Sequence, residues 1–310
     1  IRIIAPGDFG ALLRIWNDSA RYDPISGGLL EEKLIHDVDI VPDGLLLCER
    51  GNEITGWGAA VYRATNRRGY IKMLCVSPEH RRKGIGTSLL KSLESFLMRR
   101  GATQVRVAES APNYLTPGVD IRYEDALKFY AECGYEPFER AVNLETGLEK
   151  FAGYNTSAID HVRSGCHVRR ASSADREAVN KLLSTHWEAW KDEVANALSN
   201  SPPTLHVALK GEEVVAFAAH AGNNRETGWF GPMGTDPQMR GSGLGSELLL
   251  RCLADMAESG FCSATIPWVD PVDFYRQKVG ATLSREFVRL RKDVGSDRPR
   301  HSDLSSLNDA

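Results

Sequence analysis

Two stretches of the chain place basic residues and closely spaced glycines directly before an apolar helical pattern. Arg81–Gly86 and Arg240–Gly245 both read Arg-x-x-Gly-x-Gly. Glycines let a ligand come close to the backbone, and the first N–H groups of a helix have no partner within it. The helix dipole and the arginines favour an anion there. The pattern therefore predicts a site for a phosphate-bearing ligand; the alternative is a helix start with solvated basic residues.

These stretches are copies within an internal repeat. Arg81 and Arg240 lie 240 − 81 = 159 residues apart, and the same offset relates Pro78 to Pro237. The apolar positions of the helix that follows keep this spacing as well. A strand, a turn and a helix that stay aligned over so many positions indicate an internal duplication.

Other phosphate-binding motifs do not fit either copy. A Walker A loop requires Gly-x-x-x-x-Gly-Lys-Ser/Thr, and the dinucleotide fingerprint requires a third glycine where Ser246 stands. Arg-x-x-Gly-x-Gly between a strand and a helix resembles the acyl-CoA pyrophosphate loop of the GCN5-related N-acetyltransferase (GNAT) superfamily. The resemblance implies an α/β fold of two tandem GNAT-like domains, each a mixed, mostly antiparallel sheet flanked by helices. We expect domains at 1–150 and 166–295, followed by a flexible tail at 296–310.

The resemblance also implies acetyl-CoA as the co-substrate. In the family, the core strand before the loop splays from its neighbour, so that the pantetheine arm can pair with free backbone groups of that strand. The residues assigned to cofactor binding in this way are Leu74, Val76, Arg81, Arg82, Lys83, Gly84, Ile85, Gly86, Thr87, Thr235, Arg240, Gly241, Ser242, Gly243, Leu244, Gly245 and Ser246.

Amide formation from a thioester requires a neutral amine, a polarised carbonyl and a proton for the departing thiolate. Tyr130 and Tyr275 match the tyrosine of the family's closing helix, which lies near the thioester sulfur, and a phenol can protonate a thiolate. Glu109, at the end of a central strand, is the candidate base, acting directly or through water. The alternatives are a packed ring for each tyrosine and an ion pair for Glu109.

The expected acceptor is a primary amine of a small molecule, such as an amino sugar, an amino acid or a polyamine. A protein or peptide acetyltransferase and a CoA-binding sensor without turnover are the alternatives. In the family, the region that corresponds to 17–43 lines the acceptor side. The first half has an uninterrupted core strand and an extra loop at 113–122, which could be a lid or a specificity element. Gly231-Pro232 interrupts the second core strand, so we expect catalysis in the first half.

Composition limits the partners. The 310 residues carry a net charge of −3 with a pI near 6.3, which argues against a nucleic-acid surface. The chain has no apolar run of 18 residues, and Pro6 interrupts the first residues too early for a signal peptide, so we expect no membrane association. We expect a monomeric pseudo-dimer or a homodimer.

Cysteine and histidine usage indicates the compartment and the metal content. None of the six cysteines forms a Cys-x-x-Cys pair, which favours a reduced, cytoplasmic location. The eight histidines show no metal-ligand spacing, so we predict no metal.

Regular elements must position these residues. Hairpins are predicted at 45–50 with 54–62 and at 205–210 with 214–220, with Asp8 and Asp175 capping the first helix of each half. Residues 145–165 should connect the halves, and 138–144 and 285–292 should be the last strands of the first and second unit. The core strand at 70–76 should alternate between two faces, one carrying Ile71, Met73 and Cys75 and the other Tyr70, Lys72, Leu74 and Val76.

Overall fold

The computed structural model describes residues 1–154, 161–163 and 165–295, so the expected tail at 296–310 lies outside the described residues. The helices are α1 (Phe9–Ser19), α2 (Gly27–Leu34), α3 (Ile85–Arg99), α4 (Glu124–Glu132), α5 (Arg176–His186), α6 (Lys191–Ser199), α7 (Leu244–Glu258) and α8 (Val272–Val279). The strands are β1 (Arg2–Ile3), β2 (Leu45–Arg50), β3 (Glu53–Arg63), β4 (Arg68–Val76), β5 (Gln104–Val107), β6 (Val119–Asp120), β7 (Glu136–Gly147), β8 (His161–Arg163), β9 (Cys166–Arg170), β10 (Leu205–Lys210), β11 (Glu213–His220), β12 (Phe230–Thr235), β13 (Ser263–Ile266) and β14 (Thr282–Asp293).

The described strands form two sheets. The larger has the order β1-β2-β3-β4-β5-β14-β7-β13, with β6 paired to β14, and the smaller has the order β12-β11-β10-β9-β8. Their ladders are antiparallel except that between β4 and β5, which is parallel. The fold is thus α/β, with mixed, mostly antiparallel sheets flanked by helices.

The two halves exchange their last strands. β14, from the end of the second half, lies between β5 and β7, and β7 in turn pairs with β13 of the second half. The expectation that 138–144 completes the first unit and 285–292 the second is therefore wrong. Equivalent strands carry equivalent patterns, so a repeat does not reveal which half a final strand joins. The boundaries at 150 and 166 describe the repeat, whereas the larger sheet crosses them.

Each sheet half is covered by helices on both faces. In the first half, α3 packs on one face of the sheet, and α1 and α2 pack on the other. In the second half, α7 covers one face, and α5 and α6 cover the other. Leu148 and Phe151, in the predicted connection, are buried in the core beneath α7. The connecting segment therefore begins later than the sequence indicated.

Both predicted hairpins are confirmed, but the caps work differently from the prediction. Asp8 and Asp175 occupy the N-cap positions of α1 and α5, yet neither side chain bonds forward into its helix. Each carboxylate instead accepts the backbone N–H three residues back and forms a two-bond ion pair with an arginine, Arg2 or Arg169.

Candidate functional site

The first half contains a pair of diverging parallel strands. The β4–β5 ladder ends at Ile71 and Val107, after which Ala108 N–H still donates to Ile71 O at 2.9 Å. Beyond this point β5 stops, while β4 continues beside β3. The splay predicted for the core strand is therefore present, with its apex at Ile71.

Backbone groups of β4 face the open side of this splay. Ser77 N–H donates to Thr55 O on the β3 side at 2.9 Å. The backbone N–H and C=O groups of successive strand residues alternate between the two neighbouring sides. Because Ser77 directs its N–H toward β3, Leu74 and Val76 direct their backbone groups away from β3, toward the opening. Val76 O already accepts the Ser19 hydroxyl at 3.0 Å, which ties the end of α1 to the strand.

The predicted loop leads from β4 into α3. Arg82 and Gly84 have φ values of +61° and +79°, so the chain turns through two left-handed residues before the helix. Ser88 N–H donates to Gly84 O at 3.0 Å, the first such bond of α3. No described residue accepts a hydrogen bond from the backbone N–H groups of residues 85–87. Ile85 is buried, whereas Gly86 and Thr87 are half-exposed. These open donors lie where the sequence predicts an anion site.

The three basic residues of this loop differ in their contacts. The Arg81 guanidinium donates to Val76 O at 3.3 Å and to Ser19 O at 3.2 Å, so it fastens the loop to α1. Lys83 Nζ donates to Glu79 O at 3.0 Å, and Arg82 is exposed. Arg81 thus shapes the loop, while Arg82 and Lys83 contribute charge at its surface.

The second half repeats this loop with a different composition. Gly241 and Gly243 have φ values of +80° and +82°, and Glu247 N–H donates to Gly243 O at 3.2 Å. The N–H groups of residues 244–246 precede that bond at the start of α7. The Ser242 hydroxyl donates to Met239 O at 2.6 Å. Arg240 is the single cation of this copy, so its surface is less basic than that of the first.

In the second half, the two parallel strands pair over fewer residues before they diverge than in the first half. Trp229 and Thr265 form an isolated parallel bridge, and Thr265 N–H donates to Gly228 O at 2.8 Å. The offset of 159 residues maps this bridge onto the Tyr70–Arg106 pair of the first half. The repeat therefore holds in three dimensions, with β12 and β13 at the places of β4 and β5.

β12 has open backbone positions equivalent to those of β4. Asp236 N–H donates to Val215 O on the β11 side at 2.8 Å. By the same alternation, Met233 and Thr235 turn their backbone groups toward the opening of the second splay.

A β-bulge at the apex overturns the simple alternation expected for β4. The register passes from Ala59–Met73 to Ala60–Ile71, so Lys72 is an extra residue on β4. Ile71 packs with α3, whereas Met73 packs on the α1 side. The prediction that Ile71 and Met73 share a face is wrong because the extra residue shifts the alternation.

β12 carries the corresponding bulge. Its register shifts opposite Ala218 and His220 of β11. Gly231 stands there at the position of Lys72, since 231 − 72 = 159. The Gly231-Pro232 interruption noted in the sequence is thus the counterpart of a bulge that the first half also has.

The candidate acids Tyr130 and Tyr275 lie at equivalent places on α4 and α8. Both are buried, and among the described residues neither hydroxyl makes a hydrogen bond. Burial raises the pKa of Tyr275 to about 12 and raises the pKa of Tyr130 further, with the nearby thiols of Cys133 and Cys75 acting in the same direction. Both phenols therefore keep their protons at neutral pH, as proton donors must.

The phenylalanine before each tyrosine adjoins the glycine loop. A Cβ on Gly86 would lie 3.5 Å from Phe129 Cζ, and one on Gly245 would lie 4.0 Å from Phe274 Cζ. α4 and α8 are thereby held beside the helix starts that carry the open N–H groups.

Glu109 is enclosed in ion pairs. Its carboxylate accepts from Arg106 Nη1 at 2.7 Å and from Arg289 Nε and Nη2 at 2.6 and 3.0 Å. Arg289 belongs to the exchanged strand β14, and its guanidinium also lies 4.6 Å from the ring of Trp268. With both oxygens bound to guanidinium groups, Glu109 is better placed to hold Arg289 than to take a proton. Its role as a base stays a prediction.

A buried ion cluster fills the acceptor side of the first half, by which we mean the face that α1, α2 and the chain up to residue 43 cover. Lys72 Nζ donates to Asp37 Oδ2 at 2.6 Å and to Asn113 O. Arg63 forms a two-bond pair with Asp37 at 2.9 and 3.0 Å. All three charged side chains are buried.

The loop at 113–122, predicted to be a lid or a specificity element, is partly buried and contacts the second half. The Tyr114 ring packs edge-on against Trp229 and Trp268, with centroids 5.8 and 5.5 Å apart. Asn223 Nδ2 donates to Tyr114 O at 2.9 Å. The loop of the first half therefore contacts both flanks of the second splay's apex.

Two further charged groups are buried at this junction. The Lys33 side chain is fully buried and donates to Asn113 Oδ1 at 2.8 Å and to Asn223. Burial raises the pKa of Glu193 to about 8, opposed by the positive charge of Lys33. Among the described residues, the Glu193 carboxyl accepts no hydrogen bond. Sequence reasoning missed these residues, and the available signal was a lysine within an apolar helical pattern.

His220, a strand histidine of the second half, faces away from the splay. Its Nε2 lies 3.6 Å from Asp255 Oδ2, and His206 Nε2 lies 2.7 Å from the same oxygen. His220 and Asp255 border a cavity of about 430 Å³ near the C-terminal end of α7, opposite its glycine loop. His220 is therefore a packed partner of Asp255.

Grouped metal ligands and membrane-spanning helices are absent from the described part of the chain. No three His, Cys, Asp or Glu side chains in it are grouped as metal ligands. None of its helices is long and apolar enough to span a bilayer.

Comparison with known proteins agrees with this geometry. The model of the acetyltransferase (GNAT) family matches residues 11–135 and again 169–280. The acetyltransferases of Photorhabdus laumondii and Pectobacterium atrosepticum are each 32% identical, over 132 and 126 residues, which is 40% of this chain and 86% and 85% of theirs.

Solved structures share the fold over nearly the whole chain. A GCN5-related glucosamine N-acetyltransferase region of a fungal multi-domain β-N-acetylglucosaminidase has a TM-score of 0.76 at 17% identity, covering 92% of this chain and 37% of that one. A GCN5-related N-acetyltransferase of Sphaerobacter thermophilus has a TM-score of 0.70 at 17% identity, covering 96% of both chains. A tandem GNAT protein of clavulanic acid biosynthesis has a TM-score of 0.67 at 14% identity, covering 96% and 98%. With a family model that matches both halves, this chain belongs to the GNAT acetyltransferase family.

Proposed function

We propose that the protein transfers an acetyl group from acetyl-CoA directly to a primary amine of a small molecule. The observation that carries this proposal is the repeated juxtaposition of an open strand edge with free helix N–H groups. In each half, β4 or β12 offers backbone groups to a pantetheine arm, and residues 85–87 or 244–246 offer N–H donors to a pyrophosphate. Arg81, Arg82, Lys83 and Arg240 add positive charge.

The residues of the site suit direct transfer. The amine nitrogen attacks the thioester carbonyl carbon, the C–N bond forms, the C–S bond breaks, and the nitrogen loses a proton to solvent or to a base. A strand N–H beside the bulge can stabilise the oxyanion. Tyr130 or Tyr275, protonated at neutral pH, can give a proton to the departing thiolate. Glu109 is the candidate base of the first half.

A small acceptor is supported by the crowding around both apices, where Lys72 in the first half and Tyr114 and Trp229 in the second are buried. The fungal structural neighbour is described as a glucosamine N-acetyltransferase, so glucosamine heads the acceptor panel. Cys48, Cys75, Cys133, Cys252 and Cys262 are free thiols, which suits a reducing compartment, and we propose the cytoplasm. Exchange of strands within one chain supports a monomeric pseudo-dimer.

The test is calorimetric titration with acetyl-CoA, followed by an assay of amine-dependent thiol release with glucosamine, spermidine, lysine and a lysine-containing peptide. We expect acetyl-CoA to bind and a small amine to accelerate thiol release. Release with the peptide alone would favour a peptide acetyltransferase, and binding without release by any amine would favour a sensor. Absence of acetyl-CoA binding would contradict the proposal.

A further inference from the structure

The two bulges give the apex of each splay a different side chain. Bulged residues are re-aimed relative to the rest of a strand and recur beside active sites. The bulge of β4 carries Lys72, and that of β12 carries Gly231 at the equivalent position. The acceptor amine must reach the thioester at the apex, so these residues decide how much room it finds.

At the first apex, buried charged side chains fill the space that an acceptor amine would need. The Lys72 side chain is fully buried, and its ammonium group is bound to Asp37 and to Asn113 O. Arg63 completes the cluster by donating to Asp37, Ser110 O and Ala111 O. A buried and mutually satisfied ion cluster is costly to open, because each charge would lose its partner. An acceptor would have to displace it.

Room is present at the second apex. A Cβ built on Gly231 would have no atom within 4 Å beyond its chain neighbours, and the residue is half-exposed. Tyr114 packs edge-on against Trp229, two residues before Gly231, and against Trp268. Trp268 occupies the position that Glu109 holds in the first half, since 268 − 109 = 159. An aromatic wall there replaces the ion pairs of Glu109.

We propose that the acceptor amine enters the second half, in the space beside Gly231, with Tyr114 of the first half forming part of its wall. The first half then binds acetyl-CoA but does not admit the amine. This inference rests on the proposed acetyltransfer, and it reverses the sequence-based expectation that the first half is catalytic. The same loop closes the first site through Asn113 and shapes the second through Tyr114.

A matched pair of glycine variants tests the assignment. Gly86 and Gly245 are equivalent, both lie in helical backbone, and a Cβ at either makes only ordinary contacts. Gly86→Glu and Gly245→Glu each place a carboxylate where one pyrophosphate would bind. Acetyl-CoA titration is combined with amine-dependent thiol release, using the best amine of the panel. The acetyl-CoA event that each variant retains shows that its fold is intact.

We expect the loss of thiol release to be at least about 20 times larger in Gly245→Glu than in Gly86→Glu. A larger loss in Gly86→Glu, or equal losses, would overturn the assignment. If the wild type binds no acetyl-CoA, or releases no thiol with any amine, the proposed function itself fails, and that outcome is visible without either variant.

Tyr114 provides a second readout. Tyr114→Ala should raise the KM for the amine about 10-fold while the KM for acetyl-CoA changes less than about 2-fold, and Tyr114→Phe, which keeps the ring, should restore the wild-type value. A residue that only joins the halves would lower Tm without separating the two KM values. Equal changes in both KM values would contradict its place beside the amine.

Discussion

The halves share a backbone and differ in what stands at the apex of the splay. In both, a parallel strand pair opens before a glycine loop and a helix start, and the offset of 159 residues holds from the bridge at the apex to the loop. At the bulge, Lys72 brings a buried ammonium into the first half, while Gly231 leaves the second open. Duplication therefore preserved the strand splay and the glycine loop and allowed the surroundings of the bulge to diverge.

The strand exchange couples this comparison to the stability of the whole chain. Arg289 of β14 pairs with Glu109 of the first half, and Lys292 Nζ donates to Glu94 Oε1 at 2.8 Å. A half separated at the repeat boundary would lose these partners and would expose the edges of β5 and β7.

The largest expected effect is therefore the failure of an isolated half. A chain of residues 1–150 lacks β14, and Glu109 would remain buried without Arg289, so we expect no cooperative thermal transition. Residues 1–295 serve as the control and should unfold cooperatively. Circular dichroism during heating measures both. Cooperative unfolding of the 1–150 chain would show that its sheet does not depend on the exchanged strand.

Removing the charge at the first apex should have the next largest effect. Lys72→Met takes the ammonium from buried Asp37, which keeps Arg63, and we expect a loss of about 3 kcal/mol in the free energy of unfolding. Lys181→Met is the matched control, because its ion pair with Glu213 is exposed and should contribute little to stability. Urea unfolding measures both. Similar losses in the two variants would mean that the first acceptor side is not a tightly paired cluster.

The smallest expected effect concerns the aspartate–arginine ion pair at the start of the first helix in each half. The Arg169 ion pair holds the pKa of Asp175 at about 2, below its usual 3.8. This contribution to stability is present above about pH 4 and is lost as the pH falls toward 2. Asp175→Asn should cost about 1 kcal/mol at pH 7. Asp8→Asn should cost less, because its partner Arg2 is exposed.

Thermal unfolding between pH 2 and pH 7 checks both variants. The difference between wild type and Asp175→Asn should shrink below about pH 4 and be mostly lost near pH 2. A difference that persists there would indicate a loss of packing rather than a loss of charge.

The local features were predictable because short-range rules set them. The glycine loops, the hairpins and the start of α3 follow from residue types within one turn or one strand. The bulge at Lys72 was not predictable, because its sequence reads as an ordinary alternating strand and the extra residue shows only in the pairing with β3. The caps at Asp8 and Asp175 were placed correctly, but their partners were not, since both aspartates bond backward.

The sequence by itself determined the duplication, the family and the positions of both glycine loops, because the repeat and the glycine motif are contiguous in the chain. Tertiary structure alone decided three other features: β14 lies in the sheet of the first half, Lys72 is closed off by Asp37, and Tyr114 reaches the second splay. These depend on contacts between residues far apart in the chain. In a duplicated sequence each strand has two chemically similar partners, and only packing in three dimensions selects between them.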